Sequence, residues 1–371
     1  MTRSRISHSN IANVPNLGRR NVIINGAQNI DQRGYGHGAS SYTIGSTGNI
    51  YTIDRWATFV SAGSKIGVAQ VDDVPNSDFK YSAKITSLAA TTIGSGDYYG
   101  YNTALEVNDV QHFGFGTSSP KQFTISFWVK STLTGNFGLA VRVKPSSPAR
   151  SFPTTYTINA ANTWEYKTLT LTAESNTAWT AQGGTGSGFS LWFDLGTGSN
   201  FHQTANQYYS GNATAPSGTV QLAATNAATW QITGVQVELG AVATDFEYRS
   251  FAQELALCQR YYQKSYDYAR APGYSESSTG SHTRMWLANR NSSTPHYYSV
   301  FSGGKMRTAP SVTNYNPYDG AINEISNYDN GPGNNAGNYI SRIGEDGYTT
   351  YANSQTLGHF MAFHFTADAE L

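Results

Sequence analysis

Charge is what this chain has least of. Only 13% of its 371 residues are Asp, Glu, Lys or Arg, and 24 acids balance 24 bases. A summed field that small excludes strong steering to nucleic acid or to an anionic membrane surface. Cysteine is almost missing too: Cys258 stands alone, so no disulfide framework holds the fold. No apolar run reaches spanning length and no apolar leader core opens the chain, so a soluble protein folded in a cytoplasm is expected. The sequence has no Gly-x-Ser-x-Gly elbow, phosphate-binding loop or His-Glu-x-x-His pair, which leaves the common catalytic motifs unrepresented. What is there is Tyr and Gly, 25 and 37 residues, a composition of strands and tight turns.

Residues 1–20 form a polar arm with Arg3, Arg5, Arg19 and Arg20 and no acid before Asp31. Such an arm cannot pack a core of its own. Its arginines call for acidic or carbonyl-rich partners on another subunit. Apolar runs and alternation then predict strands at 22–24, 80–88, 123–129, 137–143, 165–171, 189–193 and 230–237, the pattern of a β-sandwich over 21–249. In 123–129, Phe123, Ile125, Phe127 and Val129 share one face and Thr124, Ser126 and Trp128 the other, so one aromatic looks outward. Trp56, Trp164 and Trp230 lie in or beside strands and read as core.

One helix is predicted, at 250–266. Ser250 and Gln253 make a capping box, Glu254 sits in the first turn and Lys264 in the last. Phe251, Leu255, Cys258 and Tyr262 fall at steps of four, three and four, a single apolar stripe. A lone helix this short is marginal in water, so the stripe must be buried on a sheet or on copies of itself. Near-heptad spacing points to the second, a subunit interface through these four residues, with Cys258 an inert buried thiol. A smaller C-terminal β-domain follows over 267–371, with strands expected at 283–288, 296–301 and 358–366 and a polar loop over 314–338.

Three stretches carry a resemblance. Arg20-Asn-Val-Ile-Ile-Asn-Gly-Ala-Gln-Asn-Ile-Asp-Gln-Arg-Gly34, followed by Asp54-Arg55-Trp56, resembles the opening of tailed-phage fibre and virion appendage proteins. Ile232-Thr-Gly-Val-Gln-Val-Glu-Leu-Gly240, Ala243-Thr-Asp-Phe-Glu-Tyr-Arg249 and Glu254-Leu-Ala-Leu-Cys-Gln-Arg-Tyr-Tyr262 resemble the signature closing their sandwich domain. Lys305-Met-Arg-Thr-Ala-Pro-Ser-Val-Thr313 is similar to the start of their C-terminal domain. The resemblance implies an all-β chain: a jelly-roll like that of carbohydrate-binding modules, one helix, a terminal β-domain, and assembly as a homotrimer on the virion. It implies host-surface attachment through glycan, with the arm joined to other virion proteins, no nucleic acid and no membrane insertion. Capsid or tail decoration without a host ligand is the alternative, and glycan depolymerase a second. Many such modules hold calcium with an Asp on the last strand; residues 233–238 lack it, so no metal or other cofactor is expected.

Candidate chemistry is sparse. Asp72, Asp73, Asp97, Glu106 and Asp109 could supply the paired carboxylates of glycoside hydrolysis, but nothing in their spacing pairs them. His359 and His364 are an odd number of residues apart on one strand and point to opposite faces; His112, His202, His282 and His296 are scattered. For glycan, Tyr98, Tyr99 and Tyr101 with Asp97 crowd the stretch Gly94-Ser-Gly-Asp-Tyr-Tyr-Gly-Tyr101, which reads as a turn. Tyr315, Tyr318, Tyr328 and Tyr339 of the C-terminal polar tract form the favoured set, because they lie farthest along the chain from the arm.

Overall fold

The computed structural model describes residues 20–34, 42–143, 149–176, 184–275, 285–288, 296–327, 335–352 and 360–371. The protein is all-β: a jelly-roll sandwich that carries a single-turn helix at Val107–Val110, a longer helix after it, and a smaller C-terminal sheet. The sandwich strands are β1 (Tyr42–Thr43), β2 (Gly48–Ile53), β3 (Trp56–Val60), β4 (Ile66–Val71), β5 (Ser82–Ser87), β6 (Tyr98–Glu106), β7 (Gln122–Ser131), β8 (Gly135–Val143), β9 (Arg150–Ile158), β10 (Glu165–Thr172), β11 (Ser187–Thr197), β12 (Tyr209–Ser210) and β13 (Thr229–Leu239). One sheet runs β1-β4-β5-β13-β7-β10 and the other β12-β9-β8-β11-β6-β3-β2, every pairing antiparallel. The chain passes repeatedly from one sheet to the other, with hairpins β2–β3, β4–β5 and β8–β9 within a sheet, so that each sheet closes over the other's apolar face.

The core is aromatic. Phe123, Ile125, Phe127 and Val129 of β7 are fully buried, as their alternation predicts, and meet Phe189, Leu191 and Phe193 of β11 across the sandwich. Phe127 and Phe193 pack edge-on at 5.1 Å, and Trp230 donates from Nε1 to the Tyr156 hydroxyl at 2.9 Å. Each such ring stabilises the fold by roughly 1.5–3 kcal/mol through burial. Trp56 and Trp230 are core as expected; Trp164 is not. It lies half-buried before β10 and donates to Asp73 at 3.1 Å.

The stretch 22–24 is buried but makes no strand. Asn21 takes the place of a ladder there: its side chain donates to the Val235 carbonyl at 3.1 Å and accepts from the Val237 amide at 3.1 Å. Strands β2, β3, β4, β6 and β9 escaped the sequence reading because Gly, Thr, Asn or Pro interrupts their apolar pattern; Pro153 and three threonines lie inside β9.

The helix is Phe251–Gln259, shorter than expected, with the capping box of Ser250 and Gln253 in place. It stops because its next carbonyls have other partners: Arg260 accepts from the Arg307 amide at 2.8 Å and Tyr261 from the Ala369 amide at 2.8 Å. Tyr262 therefore belongs to a strand, β14 (Tyr262–Lys264). The remaining strands are β15 (Met285–Ala288), β16 (His296–Val300), β17 (Ser311–Tyr315), β18 (Glu324–Asn327), β19 (Asn335–Ser341), β20 (Gly347–Ala352) and β21 (Phe360–Asp368). β21 is the spine of this sheet, flanked by β14, β15, β17 and β18. Where a polar loop was expected over 314–338, the described residues form β17, β18 and the start of β19, and Asn314 of β17 is held by β20: Tyr348 donates to Asn314 and Asn314 to Thr350.

The chain's end locks the two sheets systems together. Arg33 pairs with Asp368 at 2.8 Å and Glu370 at 3.3 Å, and Arg55 pairs with Glu370 while lying 3.4 Å from the Tyr261 ring centroid. Burial pulls the Arg33 guanidinium down, but Asp368 and Glu370, then Tyr262 and Asp54, hold it above its usual range.

Candidate functional site

The outward aromatic of β7 is the start of a cleft. Register places Trp128 opposite Tyr166 of β10, and the two rings lie 5.2 Å apart. On the other side β13 bulges between Thr233 and Gln236, and Gly234 takes φ +63° there. A Cβ at Gly234 would meet the Phe79 ring at 2.7 Å, so only glycine lets Phe79 lie down as the floor. Phe246 and Tyr248 complete the wall, 5.4 and 5.7 Å from Phe79.

That wall is the turn after β13, and buried acceptors hold it. Glu238 accepts from the Thr244 amide at 2.8 Å and from its hydroxyl at 2.7 Å, while Gln236 accepts from the Glu247 amide at 2.9 Å. The motif 232–249 thus has a structural purpose: its polar residues fix the position of Phe246 and Tyr248. The cleft encloses about 500 Å³ and also takes in Asn76, Asp78, Thr244 and Asp245. Tyr166 and Tyr248 are 43% and 53% exposed, so their faces are open to a ligand. Burial, then Asp78 and Asp245, pushes the Tyr248 hydroxyl up to about 12. Rings at the floor and hydroxyl, amide and carboxylate groups at the rim suit a molecule with apolar C–H faces and many hydroxyls. Of these residues the sequence pointed only to Trp128, as an outward aromatic. Tyr166 was legible from the alternation of β10; Phe79, Phe246 and Tyr248 lie outside strands and gave no periodic signal.

The tyrosines singled out in the sequence sit elsewhere. Asp97 through Tyr101 is no sugar-stacking turn. Tyr98 opens β6, Tyr99 and Tyr101 are buried in the sandwich, and Tyr101 donates to Gln28 at 3.0 Å while stacking on Trp56. Asp97 accepts from Ser61 and from the Gly94 amide, so its carboxylate shapes the loop. Tyr98 is half-buried between Phe59 and Phe201. In the C-terminal domain Tyr315 is half-buried edge-on to Tyr266, Tyr318 is half-buried in the next turn, and Tyr339 is exposed and stacked on Tyr351 at 5.0 Å. Tyr315 and Tyr339 are carried by different strands, β17 on β21 and β19 on β18. Tyr328 lies outside the described residues.

The helix stripe is spent inside the chain. Cys258 is fully buried with Ile24, Ile30 and Tyr261, Leu255 packs partly on the same cluster, and Tyr262 is buried beneath Arg33 at 3.8 Å. Cys258 and Tyr262 therefore cannot line a subunit interface. Burial pushes the Cys258 thiol well up, as an inert cysteine requires. Phe251 is exposed, edge-on to Tyr268. Arg20 does not project from the body: it donates to the Thr244 hydroxyl at 3.0 Å. Arg3, Arg5 and Arg19 lie outside the described residues.

Of the candidate acids, Glu106 is held by Arg260 at 2.8 and 2.9 Å and by the Tyr261 hydroxyl at 2.6 Å, and Asp73 by Lys130, Trp164 and Gln231. His364 is buried, stacked on Tyr266 and bonded to Ser265; His359 is outside the described residues. Among the described residues no group of three or more His, Cys, Asp or Glu could hold a metal, and no helix is long and apolar enough to cross a membrane.

No family profile and no curated protein matches the chain. Among solved structures it is similar to the enzymatically active domain of tailspike protein 4 of bacteriophage CBA120, at 12% identity over 60% of this chain and 22% of that one, TM-score 0.34. It is similar to the family 11 carbohydrate-binding module of a cellulosomal cellulase of Clostridium thermocellum, at 12% identity over 54% of this chain and 99% of that one, TM-score 0.26. It is also similar to the N-terminal cellulose-binding domain of β-1,4-glucanase C of Cellulomonas fimi, at 12% identity over 51% of this chain and 90% of that one, TM-score 0.27.

Proposed function

We propose that this chain is a non-enzymatic appendage protein of a phage particle and that the cleft around Trp128 holds host-surface glycan. The cleft carries the reading: three ring faces reach solvent beside two carboxylates, an amide and hydroxyls. Stacking on the rings supplies affinity and the rim acceptors orient the hydroxyls. The virion setting rests on the three sequence stretches described above. The arm 1–20 is the proposed anchor to other virion proteins and the assembly a homotrimer, with Phe251 and its exposed neighbours, not Cys258 or Tyr262, available for the contact.

Trp128→Ala and Tyr166→Ala, with melting followed in parallel, test the site. Retention of host polysaccharide should fall with either variant while the fold persists. Unchanged retention would remove the cleft from the account. Two carboxylates on one cleft are also what glycoside hydrolysis uses. Reducing ends are therefore measured in the same assay, and their release would make the protein a depolymerase.

A further inference from the structure

We propose that the cleft selects saccharides that carry no anionic group; this rests on the glycan reading just given. The charged lining is one-sided. Among the described residues Asp78 and Asp245 border the cleft and no Lys, Arg or His does. Both acids are exposed, and both act electrostatically on the Tyr248 hydroxyl.

The surrounding cations are engaged away from the cleft. Lys130 pairs with Asp73, Lys167 with Glu165, and Arg249 with Glu254 and Glu247. Arg20 donates to the Thr244 hydroxyl at 3.0 Å and to the Asp245 main-chain carbonyl at 3.5 Å, and the same hydroxyl donates to Glu238, a buried acid that balances that cation. Lys80 follows Phe79 in sequence, but its ammonium lies 5.0 Å from the Tyr81 ring centroid and it lines a different pocket. Among the described residues, the two carboxylates are the charged groups that line the cleft.

A carboxylate is a strong acceptor for sugar hydroxyls. It is also a like charge to any uronate, sialate or phosphate. At about 6 Å, in a medium between water and protein, each such encounter costs roughly a threefold to tenfold factor in affinity. Two of them discriminate against an anionic chain by one to two orders of magnitude on the same scale.

The test is a glycan array that pairs neutral hexose and N-acetylhexosamine oligomers with uronate-, sialate- and phosphate-bearing oligomers of matched length, probed with the wild-type chain and Asp78→Asn/Asp245→Asn. Wild type should retain neutral oligomers only. The double variant should lose neutral binding about threefold to tenfold as charged acceptors become neutral, and gain anionic binding by a similar factor. Anionic oligomers binding wild type as well as neutral ones, or an unchanged neutral-to-anionic ratio in the double variant, would overturn the selectivity and leave the glycan site standing. Retention of nothing on the array would overturn the glycan reading, and the selectivity with it.

Discussion

The two sheets of the sandwich each turn aromatic side chains outward, yet among the described residues one face is open and the other covered. On the six-stranded sheet Trp128 and Tyr166 border a cleft of about 500 Å³. On the seven-stranded sheet Phe59, Tyr98 and Trp192 are packed together, with Phe59 and Trp192 edge-on at 5.1 Å, and Trp192 is only 3% exposed. The segment between β11 and β13 makes the difference. It is tied down by amides of Thr214, Asn206 and Val220 donating to Phe201, Pro153 and Asn136, and its Ala215 lies against Gly138 of β8. Arg142 lies 5.3 Å from the Trp192 ring centroid, and burial lowers its guanidinium to about 10. Outward aromatics are thus ambiguous until the loops are placed: the same residue type is packing under a roof and an open surface without one.

The largest effect that sharpens this contrast is on stability. Trp192→Ala should lower the free energy of unfolding by about 3–5 kcal/mol, the cost of emptying a packed aromatic site. It should leave saccharide retention of the folded fraction unchanged, a pair of results that denaturant melts and a retention assay read together. Trp128→Ala should do the reverse. Loss of a central ring costs roughly 2 kcal/mol of binding, about thirtyfold, while surface truncation shifts stability by only about 0.5 kcal/mol. Equal destabilisation by the two variants would break the comparison.

A smaller effect follows from pH. Burial raises the Asp194 carboxyl, under the roofed face, from 3.8 to about 7, and raises Asp54 at the junction likewise. A folded-state value above the unfolded one gives stability that is full below about pH 4 and is lost as pH rises to about 7. The melting temperature should therefore fall between pH 5 and 7. Asp194→Asn should flatten its share of that slope, and Asp54→Asn the rest. A slope of the opposite sign would contradict the burial of both groups. Smallest of all, Tyr339→Ala on the exposed Tyr339–Tyr351 stack should cost under about 1 kcal/mol and leave the cleft's affinity alone.

Much of the architecture was legible because it rests on alternation. The β7 face, the capped helix and the sandwich–helix–sheet order all follow from side-chain period and turn residues. The helix end was not, because the carbonyls of Arg260 and Tyr261 are claimed by Arg307 and Ala369, about fifty and a hundred residues away in the chain. The tyrosines misled for a related reason. Tyr99 and Tyr101 follow a Gly-rich loop and look like turn residues, but β11 and β3 pair on both sides of them. The cleft needed knowledge of a bulge and of the turn pinned by Glu238, neither of which has a period. Trp128, with Tyr166 beside it, is the part of the cleft that alternation marks.

The most direct test labels the chain with 5-fluorotryptophan and follows the fluorine resonances as a retained saccharide is added, assigning Trp128 and Trp192 by Trp128→Phe and Trp192→Phe. The account predicts that the Trp128 resonance moves with saturation while Trp192 stays in place; movement of Trp192 with Trp128 unmoved would contradict it.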